Sequence, residues 1–462
     1  MFKKSKSLLV ITLALLICLG SVLPALASEL NQSGALVGTE SNPVEATITK
    51  QLRMPVETTT PNVVFNFLAT KISVDGETSA EDLARMPELA NLIASFSTSD
   101  TTPTFTVNNV MSFMKETGNI FDDVTFPHAG IFVYQITEVH PEDAEEDDED
   151  NEEATGGIPH ETMRYSTAVY TLTVYVSNTA DGKGTYVSGL GTVVSSTDLD
   201  TQAEGSKVDP TPGGNGEEYF FSQMIFTNDF VRTNGADDPR NPDPVNESTL
   251  SISKEVEGEL ASREQYFQFD ITLNIPFIVT NVPTYYRAYV VQGGAVIDPS
   301  NNVYRAADSG NDEDEDEDET AGADISALIG TDAGGTYIKI ASNATTTFFL
   351  KDGQRLVFVD TPVGTSYDVT ESAATHYVPR FSITTDGTKA AEVPGSLNTA
   401  LATTEQFVGE RANSADFTNF RDFIAPTGLS LNDLPFIGLI ALALGTLIIF
   451  ILAKTRRRHY DR

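Results

Sequence analysis

Cysteine is almost absent from this 462-residue chain, and the single one, Cys18, lies in an apolar stretch near the start. The folded part downstream therefore holds without disulfides, on which many exported proteins rely. Tryptophan is missing and histidine is scarce, at five residues. That argues against an indole platform for stacking sugars, although tyrosine can serve. No HExxH or Cys/His ligand pattern occurs, and there is no GxSxG elbow, P-loop or GxGxxG fingerprint. The reading is a protein that is not a turnover enzyme and needs no metal or cofactor. Basic residues are also short, with 29 Lys+Arg against 66 Asp+Glu and a net charge of −37. So acidic a surface repels polyanions, which excludes nucleic acid as a partner.

Long hydrophobic runs occur only at the two ends. Lys3, Lys4 and Lys6 precede an apolar stretch from Leu8 to Leu19, and Ala25-Leu26-Ala27 offers a small-x-small cleavage site. This is the pattern of a secretory signal peptide over 1–27. Ile17 stands before Cys18 where a lipoprotein signal needs a small residue, which argues against a lipid anchor. At the other end, 434–453 carries no charge and is long enough to cross a bilayer as a helix. Lys454, Arg456, Arg457 and Arg458 follow, so the tail 454–462 is expected in the cytoplasm before processing. Just ahead lies Ile424-Ala425-Pro426-Thr427-Gly428. Pentapeptide, apolar span and basic tail together resemble the cell-wall sorting signal of Gram-positive bacteria, with Ala425-Pro426-Thr427-Gly428 in place of the usual Leu-Pro-x-Thr-Gly. The resemblance implies a sortase as partner, cleavage between Thr427 and Gly428, and a place on the wall or membrane surface. An ordinary membrane anchor is the alternative.

Between these ends the chain reads as β. Segments 62–74, 129–139, 165–177, 218–228, 248–256, 265–275, 345–360 and 365–372 alternate apolar with polar residues and are rich in β-branched and aromatic side chains. One helix is expected from Ser79 to Ser95, capped by Ser79. Acidic runs at 141–157 and 311–322 read as solvated loops. In the second, Asp312, Asp314 and Asp316 mimic the start of a calcium loop, but Glu317 stands where glycine is needed and Ala323 where glutamate is. The prolines of 233–247 mark a linker. The fold class is therefore mainly β, with two tandem immunoglobulin-like or Greek-key sandwiches at 44–232 and 248–422.

The two halves repeat one another in residue order. The first has Lys50, Phe65-Asn66-Phe67, Thr137-Glu138 and Thr227-Asn228; the second has Lys254, Phe267-Gln268-Phe269, Thr370-Glu371 and Thr418-Asn419. Each Lys, Glu and Asn is flanked by strand residues that point to a core. Burial drives lysine toward the neutral amine and glutamate toward the neutral acid. A neutral amine held against an Asn side-chain amide can attack its carbonyl and expel ammonia, with the carboxyl moving the protons. Lys50 can also be read as an ordinary exposed strand residue, with Lys71 as a nearby alternative.

These motifs, together with AGIFVYQITE, LKDGQRLVFVDTPVGTSYDVTE and FTNFRDFIAPTG, resemble the isopeptide-containing domains of Gram-positive T-antigen or FctA-like pilins. The resemblance covers about 44–428 and implies two intramolecular bonds, Lys50–Asn228 catalysed by Glu138 and Lys254–Asn419 catalysed by Glu371. It implies a surface-anchored pilin subunit or rigid stalk, with neighbouring pilin subunits or peptidoglycan as partners. The rival is a wall-anchored adhesin binding a host or carbohydrate ligand as a monomer. The acceptor lysine that shaft pilins carry shortly before the last-strand Asn has no counterpart in 216–226, which leaves Lys183 and Lys207 as candidates without a motif.

Overall fold

The computed structural model describes residues 36–141, 161–197, 203–212, 223–233, 241–303, 327–422 and 434–458. The segment 1–27, the pentapeptide Ile424 to Gly428, all of 311–322 and all but Pro141 of 141–157 lie outside the described residues. The chain divides into two compact units, before and after residue 235, with Ile275–Val282 and Pro362–Thr365 grouping with the first.

The first unit is a sandwich of two sheets. One sheet of seven strands runs in space through Thr185–Ser196, Val169–Asn178, Gly130–Glu138, Val63–Val74 and Ile93–Phe96, with the short strands Leu36–Val37 and Lys207–Val208 on Thr185–Ser196. The other runs Phe105–Val107, Val110–Glu116, Thr49–Pro55, Ile225–Arg232 and Glu161–Arg164. Side chains alternate between faces with period 2. Phe65, Phe67 and Ala69 accordingly face the core while Val64 and Leu68 are exposed. Phe132, Tyr134 and Ile136 on Gly130–Glu138 meet them from the same sheet's inner face.

The second unit repeats the plan with more strands. Its larger sheet of ten includes Gly335–Ala341, Tyr285–Gln292, Gln354–Phe358, Leu250–Glu257, Ser414–Phe420 and Val378–Thr385 in that spatial order. The facing sheet runs Thr345–Leu350, Phe267–Asn274, Ser366–Glu371 and Leu401–Ala402, with Gln406–Phe407 also on Ser366–Glu371. In each unit the first long strand lies parallel to the last: Thr49–Pro55 beside Ile225–Arg232, and Leu250–Glu257 beside Ser414–Phe420. A parallel pair cannot be joined by a hairpin, so the rest of each domain is strung between them.

The architecture is mainly β, but the helix expected from Ser79 to Ser95 shrinks to four residues, Ala80–Leu83. Ser79 does cap it, its Oγ accepting the Asp82 N–H at 3.2 Å. Pro87 cannot continue the ladder, and Ile93–Phe96 pairs with Val63–Val74 instead. The segment 345–360 likewise forms two strands, Thr345–Leu350 and Gln354–Phe358, around a turn in which Gly353 takes φ 73°. At the C-terminus Leu434–Arg458 is one helix, and its window Pro435–Leu452, of mean hydropathy 2.6, is long and apolar enough to cross a membrane.

Candidate functional site

All six side chains picked from the sequence sit on the buried phase of their strands. Lys50 shares its face with Leu52 and Met54, Glu138 with Tyr134 and Ile136, and Asn228 with Phe226 and Phe230. In the second unit Lys254 lies between Ile252 and Val256, Glu371 follows Tyr367 and Val369, and Asn419 follows Ala415 and Phe417. Four of the six, Lys50, Asn228, Lys254 and Asn419, are 0 % exposed. A charge cannot stay in such a place alone, and the structure supplies partners from within each trio.

Register brings them together. Lys50 stands opposite Phe226 in the parallel pair and Lys254 opposite Phe417, so in both units the asparagine is the next same-face residue along the last strand. The glutamate arrives from the facing sheet, Glu138 paired with Phe67 and Glu371 with Phe269. Each trio thus spans the sandwich.

In the first unit Lys50 Nζ donates to Glu138 Oε2 at 2.6 Å and to Asn228 Oδ1 at 2.5 Å. Asn228 Nδ2 donates to Glu138 Oε1 at 2.7 Å. The lysine nitrogen lies 4.4 Å from the Phe65 ring centroid. In the second unit Lys254 Nζ lies 2.8 Å from Glu371 Oε1, the oxygen that also accepts Asn419 Nδ2 at 2.7 Å. Lys254 Nζ is again 4.4 Å from a ring centroid, that of Phe267. The first aromatic of each pair that the sequence repeats is thus the floor on which the amine rests. A cation over an aromatic face is attracted by its quadrupole, while the ring excludes the water that would hydrate an ammonium. Lys71, the alternative, is partly exposed and pairs with Glu88.

Burial opposes charge on both the amine and the carboxyl of the second trio. Burial pushes the Lys254 amine down to about 8, against the opposing pull of Glu371. Burial pushes the Glu371 carboxyl up, with Lys254 and the Asn419 amide opposing. Moving the proton from amine to carboxyl leaves a neutral nucleophile and a neutral acid, the pairing that acyl transfer to an amide requires.

One group at the first site has no signature in the sequence. The backbone N–H of Ser166 donates to Asn228 Oδ1 at 2.8 Å, and Ser166 is itself 1 % exposed. A main-chain donor is identified by position rather than residue type, so no motif marks it. At the second site Asn419 Oδ1 and Glu371 Oε2 have no hydrogen-bond partner among the described residues.

Residues 47–209 match the Spy0128-like isopeptide-containing domain family, a span that holds Lys50 and Glu138 and stops short of Asn228. Residues 248–421, which hold the whole second trio, match a domain family of unknown function. A pilin of Streptococcus pyogenes serotype M1 is 22% identical over 336 residues, 72% of this chain and 70% of that one. The crystal structure of a Streptococcus pyogenes major pilin aligns at 17% identity over 83% of this chain and 100% of its own, with a TM-score of 0.28. The T3.2 major pilin of that species aligns at 18% identity over 82% and 98%, with a TM-score of 0.27. The chain is similar to FctA-type pilins, and its residues 47–209 are similar to the Spy0128-like isopeptide-containing domain family.

Proposed function

We propose that this chain is a surface-anchored structural protein, a pilin subunit or rigid stalk, whose two sandwiches are each locked by an autocatalytic Lys–Asn amide. The observation that carries the reading is the duplication: two buried Lys/Glu/Asn trios, in two domains of different strand number, with the same register between first and last strand. A salt bridge kept for stability alone is poor value in a core, because desolvation offsets the attraction. A trio that adds a carboxamide to the pair, twice in the same place, fits bond formation better.

In the proposed reaction the neutral lysine Nζ attacks the asparagine Cγ, the glutamic acid passes a proton to Nδ2 while taking one from Nζ, and ammonia leaves. Glu138 would serve Lys50–Asn228 and Glu371 would serve Lys254–Asn419. Each amide closes a long loop, with 178 positions between Lys50 and Asn228. In the chain-entropy account used for disulfides a loop of that length stabilises by about 5 kcal/mol. Export through the leader, sortase cleavage at Thr427 and attachment to a neighbouring subunit or peptidoglycan complete the proposal. Lys183 and Lys207 are both exposed and are the lysines offered as acceptors.

Intact mass tests the chemistry. The protein should be lighter than its sequence by two ammonia masses, with one regained in Glu138→Ala and one in Glu371→Ala. A full calculated mass would remove the crosslinks. Extracts of the producing cells distinguish the roles: a pilin gives a ladder of covalent multimers, whereas the adhesin alternative gives one band and saturable ligand binding.

A further inference from the structure

We propose that the Ser166 backbone N–H is the oxyanion donor for crosslinking at the first site, and that His140 is the residue that positions it. This inference rests on the crosslinking reading given above. When Lys50 Nζ bonds to Asn228 Cγ, the C=O π electrons move onto Oδ1, which carries a full negative charge in the tetrahedral intermediate. The charge returns as the Cγ–Nδ2 bond breaks and ammonia departs, with one proton passing from Nζ to Glu138 and one from Glu138 to Nδ2. Lys50 loses its role as donor to Oδ1 as it becomes the attacking atom. Glu138 faces the two nitrogens, accepting from both. The Ser166 N–H, at 2.8 Å from Oδ1, remains aimed at the developing charge, within the distance at which oxyanion donors act.

The residue that carries the donor is held at its carbonyl and at its side chain. The Ser166 carbonyl accepts a hydrogen bond from His140 Nε2 at 2.9 Å; a carbonyl only accepts, so that ring nitrogen carries the proton. Ser166 Oγ accepts the Ala168 N–H at 3.2 Å, which fixes the chain just after the carbonyl. The His140 ring rests 5.7 Å from that of Tyr165, whose own ring meets Phe65 at 6.3 Å between centroids. Phe65 is the floor under Lys50. His140 follows Glu138 by two residues, so the strand end that brings the acid also brings the clamp. The fixed peptide dipole needs no reorganisation as charge forms, which is the source of its effect in a water-free site.

The experiment is a pulse of synthesis of the full-length chain in detergent, chased for increasing times, quenched in acid and digested. The linked peptides containing Lys50–Asn228 and Lys254–Asn419 are then quantified separately. Ser166→Pro deletes the N–H and should slow the first crosslink by about 100- to 1,000-fold while the second forms at its normal rate. His140→Ala should slow the first crosslink in the same direction, and His140→Gln, whose amide nitrogen can replace Nε2–H, should restore much of the rate. Wild-type rates at the first site in both Ser166→Pro and His140→Ala would overturn the proposal. So would a His140→Gln rate no better than His140→Ala, since that assigns His140 to packing alone. Absence of the linked Lys50–Asn228 peptide from the wild-type chain would instead defeat the crosslinking reading on which the proposal stands.

Discussion

Lys254 and Glu371 face each other at 2.8 Å in a place water barely reaches, and the consequence is a reaction rate that depends on pH. With the amine held down to about 8, acid keeps it an ammonium, which has no lone pair to attack. The carboxyl, held up by burial, keeps its proton to higher pH than an exposed glutamate does, and once stripped it cannot donate to the leaving nitrogen. The rate of Lys254–Asn419 bond formation should therefore rise from pH 6 toward 8 as the amine loses its proton, and fall once the carboxyl has lost its own, as expected when one acid and one base must each be in the right state. A time course of ammonia loss after synthesis in buffers across that range measures it, and a rate independent of pH would contradict the assignment. Glu371→Gln should flatten the profile and lower the rate by about 10²- to 10⁴-fold, the usual worth of a positioned acid–base group. At this scale the sequence was informative because the trio breaks the pattern around it: Lys50, Glu138 and Asn228 each occupy a strand position whose same-face neighbours are apolar. Ser166 was not legible, because its contribution is a peptide N–H that any non-proline residue would carry.

Elements impose their own requirement at the edge of the second site. Gly258 ends Leu250–Glu257, and there φ is +105°. A Cβ at that position would lie 2.1 Å from the Arg421 carbonyl oxygen, just beyond the last strand. The Arg421 N–H meanwhile donates to Glu257 O at 2.9 Å. Gly258→Ala must thus strain or part the two parallel strands where they finish, at a cost of about 1–3 kcal/mol for the backbone conformation alone. Denaturant titration should show the loss in the second domain, and an unchanged midpoint would mean the strand ends are free to move. Strands with clean alternation, such as Val63–Val74 and Gly130–Glu138, were readable from the chain. Thr185–Ser196 was not, since Gly189 and Gly191 look like turn residues; the structure absorbs Gly189 at an irregularity in register next to Val187. Val378–Thr385 was hidden by Pro379, which stands opposite Asn419 within the sheet. The helix after Ser79 failed for the opposite reason: its cap was genuine, while the pairing of Ile93–Phe96 with Val63–Val74 is a tertiary contact that local sequence does not encode.

At the scale of the whole molecule, parallel terminal strands determine how load passes. Force applied between the ends of such a domain shears the pair instead of unzipping it, and a Lys–Asn amide across the pair takes the load before the ladder yields. Stretched singly, the chain should show no release of the 178 positions between Lys50 and Asn228, a missing extension on the order of 600 Å. Glu138→Ala should bring that extension back. Full unravelling of the unaltered first domain would rule out the bond.

The same closure changes what a proteolytic cut means. The acidic runs 141–157 and 311–322 are the stretches of the chain most unlike a packed core, and both fall between a lysine and its asparagine partner. A nick there would open a ring without severing the path from one end of the protein to the other, because the proposed amide would bypass it. Cleavage within either run would then leave one continuous covalent path from the first strand of the domain to its last.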